Sequence, residues 1–272
     1  MKAALVVCGP DVAHGPLALL SGTFEQRVRK AASLGYQGIE LMVRDPAALD
    51  WPWLKGILQS AGLEVPQIVT GEVFAADGLC LVHQDPHTRQ ESNERARAII
   101  DLGEYLGAMV NLGRFRGQLK WLGPVSDPWG AATEQLQPLF HYAEKKGVRI
   151  TLEPLNRYEC DFIQTAAEAM RMIEASGSRY VGIMLDFFHM NIEETSFEDG
   201  FRAAGDRLWH VHVADSNRRY PGSGHLDLAA SFKILRALGF NGFVSAELLP
   251  LPDPDTAAVK TIQALRSLLS DS

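Results

Sequence analysis

Eight short apolar runs, each followed by an amphipathic segment, predict an α/β chain closed into a (β/α)8 TIM barrel, with residues 1–272 as one domain. Strict alternation implies parallel strands, because each strand needs a crossover helix before the next. The count of eight points to closure rather than an open sheet. The length of 272 residues is one at which such a barrel stands alone.

The elements follow in order. Ala3–Cys8 is a short, nearly continuous apolar run, as a strand buried on both faces requires. Thr23–Leu34 is a helix, with Thr23 as its cap and Glu25 in the first turn. Strand Gln37–Met42 precedes helix Pro46–Ala61, which Gly62 stops. Strand Glu64–Thr70 leads into a long connection, Gly71–Arg89, and then helix Glu91–Leu106. Strand Met109–Gly113 pairs with helix Trp129–Lys146, and strand Arg149–Glu153 with helix Thr165–Ser176. Strand Val181–Asp186 is followed by a short helix, Phe197–Ala204. Strand Leu208–Val213 opens a second long connection, Ala214–Asp227, before helix Leu228–Leu238. Strand Phe243–Glu247 and helix Asp255–Leu269 end the chain. Long connections on the strand-end side of a barrel often serve as lids.

Composition narrows the function. A net charge of -7 lacks the basic face that nucleic acid needs, while a few local arginines can still hold an anionic substrate. The three cysteines, Cys8, Cys80 and Cys160, match no zinc or redox spacing and read as free thiols of a reducing compartment. The opening MKAALVVCGP lacks the apolar core of a signal peptide, and no run reaches membrane-spanning length. A cytoplasmic protein with no membrane partner is expected.

The chemistry concentrates at four strand ends. Glu153 ends strand five in ITLEP, Asp186 ends strand six in IMLDFFH, His212 lies near the end of strand seven in HVHVADSN, and Glu247 ends strand eight in VSAEL. One acidic residue at a strand end is more often a helix cap. Consecutive strand ends of a barrel face one cavity, however, and three converging carboxylates repel one another unless a cation sits among them. Three oxygen ligands and one nitrogen favour Mn²⁺, with Mg²⁺ or Co²⁺ as alternatives. A divalent ion there offsets the negative charge of an enediolate as a proton leaves the carbon beside a ketone. Inverting that carbon requires one carboxylate on each face.

Further polar residues surround this set: His189 three positions past Asp186, Glu159 on the loop after strand five, and Arg218 in the loop after strand seven. Arg114 and Arg116 follow strand four, where either guanidinium can grip a substrate carboxylate or face solvent as one of a pair. Glu72 after strand three and His14 after strand one are candidates for substrate hydroxyls. His83, His87, His141 and His210 have no partner that the sequence names.

The segments EPLNRYE, DFFHMN, HVHVADSNR, PGSGH and VSAEL resemble the xylose-isomerase-like TIM-barrel superfamily, and within it the ketose 3-epimerase group. The longer segments VRDPAALDW, TGEVFAADGLCLVH, DFFHMNIEE and ELLPLP are similar to the 5-keto-L-gluconate epimerases. The resemblance runs over the whole chain. It implies that Glu153, Asp186, His212 and Glu247 bind Mn²⁺ or a similar ion, that Glu153 and Glu247 are the acid–base pair, and that Glu159, His189 and Arg218 hold substrate oxygens. It implies a small sugar or sugar-acid substrate, conversion of 5-keto-L-gluconate to D-tagaturonate, a homodimer or homotetramer, and no organic cofactor. An aldose–ketose or hydroxypyruvate-type isomerase and a polyol-ketone dehydratase use the same kind of site and stay open here.

Overall fold

A computed structural model describes residues 1–270. Its eight strands are all parallel and close in chain order: β1 (Lys2–Cys8), β2 (Gly38–Met42), β3 (Gln67–Val69), β4 (Met109–Leu112), β5 (Ile150–Leu152), β6 (Val181–Asp186), β7 (Leu208–Val213) and β8 (Phe243–Ala246). Leu5 of β1 lies beside Ala246 of β8, which completes the ring. The register sets Asp186 beside His212 and His212 beside Ser245. Sequence neighbours at the strand ends therefore become spatial neighbours at one mouth.

Among the described residues, ten α-helices surround the barrel: α1 (Phe24–Leu34), α2 (Trp51–Ser60), α3 (Gly71–Asp77), α4 (Pro86–Leu106), α5 (Pro128–Lys146), α6 (Ala166–Ser176), α7 (Phe187–Glu193), α8 (Phe197–Ala204), α9 (Leu228–Ala237) and α10 (Pro254–Ser270). Thr23 caps α1 as expected. Its hydroxyl accepts from the Gln26 N–H, and the Gln26 side chain accepts from the Thr23 N–H.

The helices after β3 and β6 depart from the sequence expectation. The connection after β3 is not a bare loop: it contains α3, and α4 begins at Pro86 rather than Glu91. Asp85 causes the early start, because its carboxylate accepts from the His87 and Thr88 N–H groups while Pro86 occupies the first turn. The short α7 was not anticipated either. Asp186 caps it, and Phe187 anchors it, fully buried among Phe197, Phe201 and Phe232 with ring centroids 5.0 to 6.0 Å away. Burying one such ring stabilises by about 1.5–3 kcal/mol, enough to hold a helix this short.

Inside the barrel the packing is not wholly apolar. Glu40, Gln67, Thr151, His210 and Ser245 are all fully buried there. All three cysteines are buried and unpaired. Among the described residues, no helix is long and apolar enough to cross a membrane.

Candidate active site

Glu153 directly follows β5, Asp186 ends β6, His212 lies in β7, and Glu247 directly follows β8. Each offers one ligand-capable atom, and these atoms all lie within 4.8 Å of one another. The hydrogen bonding leaves gaps that face this point. Asp186 Oδ1 accepts the Phe188 N–H at 2.8 Å to cap α7, but Oδ2 is buried with no partner. His212 Nδ1 is also buried without a partner, 3.7 Å from Glu247 Oε2 and 4.0 Å from Glu153 Oε1. Asn111 Nδ2 donates to Glu153 Oε2 at 3.3 Å, and Arg218 Nη2 to Glu247 Oε2 at 3.2 Å.

The carboxyls differ in their affinity for a proton. Burial, reinforced by the charges of Glu247 and Asp186, pushes Glu153 up to about 8. Burial likewise raises Asp186 to about 7, against the pull of Arg218. Burial also works to raise Glu247, but the charges of His212 and Arg218 outweigh it and hold that carboxyl at about 2. Three clustered carboxyls and two unpartnered buried atoms are unfavourable without a cation and fit a divalent one. Glu153, Asp186, His212 and Glu247 are the residues that would hold it.

A cavity of about 320 Å³ opens above this cluster. Glu159, His189 and Arg218 line it, as the sequence reading anticipated, and so does Glu72. The His189 ring has a defined orientation. Its Nδ1 accepts from the Asn156 backbone N–H at 3.3 Å, which leaves its proton on Nε2, 3.8 Å from Glu153 and Asp186. Burial, then the charge of Arg218, keep the ring neutral by holding its pKa well below the ordinary value. His189 therefore presents a neutral N–H donor to the cavity. Arg218 bridges Glu159 at 2.9 Å and Glu247 at 3.2 Å, and stacks over Phe188 at 4.6 Å. Its backbone takes a left-handed φ of 57°, an uncommon conformation for a residue with a side chain.

Two candidates fall outside the cavity. Arg116 does not overhang the mouth: it is fully buried, and its guanidinium donates to the carbonyls of Gly113, Glu153, Phe162 and Ile163 at 2.8 to 2.9 Å. It ties the chain after β4 to the loop after β5, buried away from the cavity lining. His14 is exposed and does not line the cavity, whereas its neighbours Pro16 and Leu17 do. Arg114 occupies the place expected of the loop's arginine. It lines the cavity with its guanidinium 4.7 Å over the Phe74 ring.

Sequence reasoning missed Asn111, Asn156 and Glu40. Asn111 and Glu40 did leave a signal, a polar residue inside an otherwise apolar strand in MVNL and GIELM. Asn156 stood unremarked within EPLNRYE.

A closed parallel barrel with acid-rich strand ends over a sugar-sized cavity defines an enzyme of the carbohydrate-isomerase class. The chain belongs to the xylose isomerase-like TIM barrel family, whose model matches residues 28–268. It is 32% identical over 271 residues to the L-ribulose 3-epimerase of Methylomonas sp. (strain DH-1), covering 99% of this chain and 91% of that one. It is 40% identical over 136 residues to the 3-dehydro-D-guloside 4-epimerase of Escherichia coli (strain K12), covering 50% of this chain and 52% of that one. Among solved structures, an L-ribulose 3-epimerase superposes with a TM-score of 0.82 at 25% identity, covering 97% of this chain and 94% of that one. The apo 3-keto-D-glucoside 4-epimerase of E. coli gives 0.79 at 25% identity, covering 98% and 99%. These relatives are epimerases, isomerase-class carbohydrate enzymes.

Proposed function

We propose that this enzyme is a divalent-metal-dependent epimerase that inverts the carbon beside the ketone of a keto-sugar or keto-sugar acid, with 5-keto-L-gluconate, converted to D-tagaturonate, as substrate. The observation that carries the reading is the pair Glu153 and Glu247. They directly follow β5 and β8 and meet in one buried cluster with Asp186 and His212, with ligand-capable atoms within 4.8 Å of one another. An inverting enzyme needs two such groups, one to accept a proton and one to give one.

Glu153, Asp186, His212 and Glu247 would hold the ion, Mn²⁺ by preference for three oxygens and one nitrogen. Bound there, it supplies Lewis-acid stabilisation of charge developing on the carbonyl oxygen. Glu247, kept ionised beside Arg218, takes the proton from one face of the carbon. Glu153 gives a proton to the other face, and the roles exchange in the reverse direction. The Nε2–H of His189 and the guanidinium of Arg218 hold neighbouring oxygens. The apolar wall of Leu17, Met42, Val69 and Leu155 keeps water from the proton in transit.

Support for an acidic substrate comes from Arg114. It stands exposed at the cavity with no carboxylate paired to it among the described residues, and it is steadied on Phe74. A planar guanidinium there suits a substrate carboxylate bound through two hydrogen bonds. The names of the relatives also describe inversion at a carbon next to a ketone.

The test is incubation of the Mn²⁺-loaded enzyme in deuterated water with keto-hexoses, 5-keto-L-gluconate and hydroxypyruvate, followed by removal of the ion and proton NMR. Deuterium beside an unmoved ketone, together with a new diastereomer, supports the epimerase. A carbonyl shifted to the neighbouring carbon makes it an isomerase. Full activity in the presence of a chelator refutes the metal requirement.

A further inference from the structure

Glu40 lies on β2 inside the barrel, and no step described above uses it. It is fully buried where barrel interiors normally carry branched apolar side chains. Its two oxygens are divided between two imidazoles. Oε1 faces His210 Nε2, and Oε2 lies 2.9 Å from His212 Nε2. Gln67 Nε2 also donates to Oε2 at 3.3 Å, and Gln67 is oriented by Thr151 Oγ1, which donates to its Oε1 at 2.5 Å.

This chain of donors leaves one assignment of protons. A carboxylate flanked by imidazole nitrogens only accepts, so both His210 Nε2 and His212 Nε2 carry hydrogen. With hydrogen held on His212 Nε2, Nδ1 is the one ring nitrogen free to become a ligand, by giving up any proton to a cation, and it is the buried unpartnered atom beside Glu153 and Glu247. A ring with the opposite tautomer would turn an N–H toward the carboxylates and offer no ligand. His210 Nδ1 is also buried without a partner, while its Nε2 faces Glu40. Glu40, His210 and His212 are close enough to hold an ion of their own. The three atoms that face one another are already hydrogen-bonded, however, and two ions sharing one ring would repel.

We propose that Glu40 is a positioning residue for the metal centre: it fixes the tautomer of His212 and makes Nδ1 a stronger ligand, while His210 locks the Glu40 carboxylate in place. The proposal rests on the four-residue metal site of the proposed function. It assigns a purpose to a buried carboxylate and a buried histidine that an apolar pair would otherwise replace without cost.

The experiment compares metal-free wild type, Glu40→Gln and His210→Asn. Mn²⁺ affinity is measured by titration calorimetry, the visible absorption of the Co²⁺-loaded forms reports ligand geometry, and thermal unfolding is followed without metal. Glu40→Gln should bind Mn²⁺ roughly 10–100-fold more weakly and change the Co²⁺ spectrum, with a smaller change of the same kind in His210→Asn. A folded Glu40→Gln variant with unaltered Mn²⁺ affinity and Co²⁺ spectrum overturns the proposal, and so does one that merely unfolds at a lower temperature. If neither variant folds, ¹⁵N-histidine NMR of the Mg²⁺-loaded wild type decides, by whether the His212 proton resides on Nε2, as proposed, or on Nδ1. A wild type that binds no divalent ion overturns the metal reading itself, an outcome distinct from intact binding in Glu40→Gln.

Discussion

At the scale of single residues, Glu153 and Glu247 should not substitute for each other. Glu153→Gln and Glu247→Gln are each expected to lower turnover by roughly 10²–10⁴-fold, the usual loss for a positioned acid or base. Wild-type-like rates in both would remove the roles assigned here. Arg114→Ala should raise KM for a keto-sugar acid roughly tenfold or more, the equivalent of one charged hydrogen bond, and leave a neutral keto-sugar little affected. Equal effects on both substrates would show that Arg114 does not read a carboxylate. Arg114 and Arg116 also mark where the sequence stops being informative. Both are arginines of one loop, yet the single turn of 3₁₀ helix at Arg114–Arg116 sends one to the cavity and the other inward to four carbonyls. Residue type is identical at the two positions, so only the path of the backbone separates a binding group from a structural one.

At the scale of elements, Asp186 serves two structures at once. One oxygen caps α7 and the other belongs to the four-residue cluster that could hold a cation. Asparagine caps a helix as well as aspartate does, but it brings no charge to a cation. Asp186→Asn should therefore keep the metal-free protein at least as stable as wild type and weaken ion binding. Asp186→Ala should weaken ion binding too and lose about 1 kcal/mol through the missing cap. Unfolding of both variants under chelation checks this, and equal stabilities would deny the cap its role. The helix itself was hidden in the sequence because seven residues, Phe187–Glu193, are too few for a periodic pattern to emerge. The burial of Phe187 among three other aromatic rings sustains it, and all three lie downstream in the chain.

At the scale of the whole molecule, the clustered carboxyls link stability to pH and metal. Glu153, raised from 4.5 to about 8, and Asp186, raised from 3.8 to about 7, keep protons in the folded chain that the unfolded chain releases. Their contribution is complete below the unfolded values and is lost as pH rises through the folded ones. Glu247, lowered from 4.5 to about 2, acts in the opposite sense, and its contribution disappears only as pH falls toward 2. Through these two raised groups, chelated protein should lose stability between about pH 5 and pH 8. Saturating Mn²⁺ should reverse that slope, since the ion binds the ionised forms. Thermal unfolding across that range, with chelator and with Mn²⁺, tests it. A chelated protein that gains stability toward pH 8 would contradict the described electrostatics.

The alternation of eight apolar runs determined the barrel, because each buried parallel strand carries its own continuous hydrophobic signature and each helix its own caps. The strand ends then determined the centre of the site, since closing the ring leaves Glu153, Asp186, His212 and Glu247 nowhere to point but one mouth. What the tertiary structure alone decided concerns groups whose partners are far away in the chain. Glu40 acquires its meaning only when β2 and β7 face each other across the barrel, and Arg116 only when the loop after β5 folds back over it. Hydrophobic periodicity is local and legible along a sequence. The pairing of a buried charge is a long-range requirement, met by whichever strand closure brings within hydrogen-bonding distance.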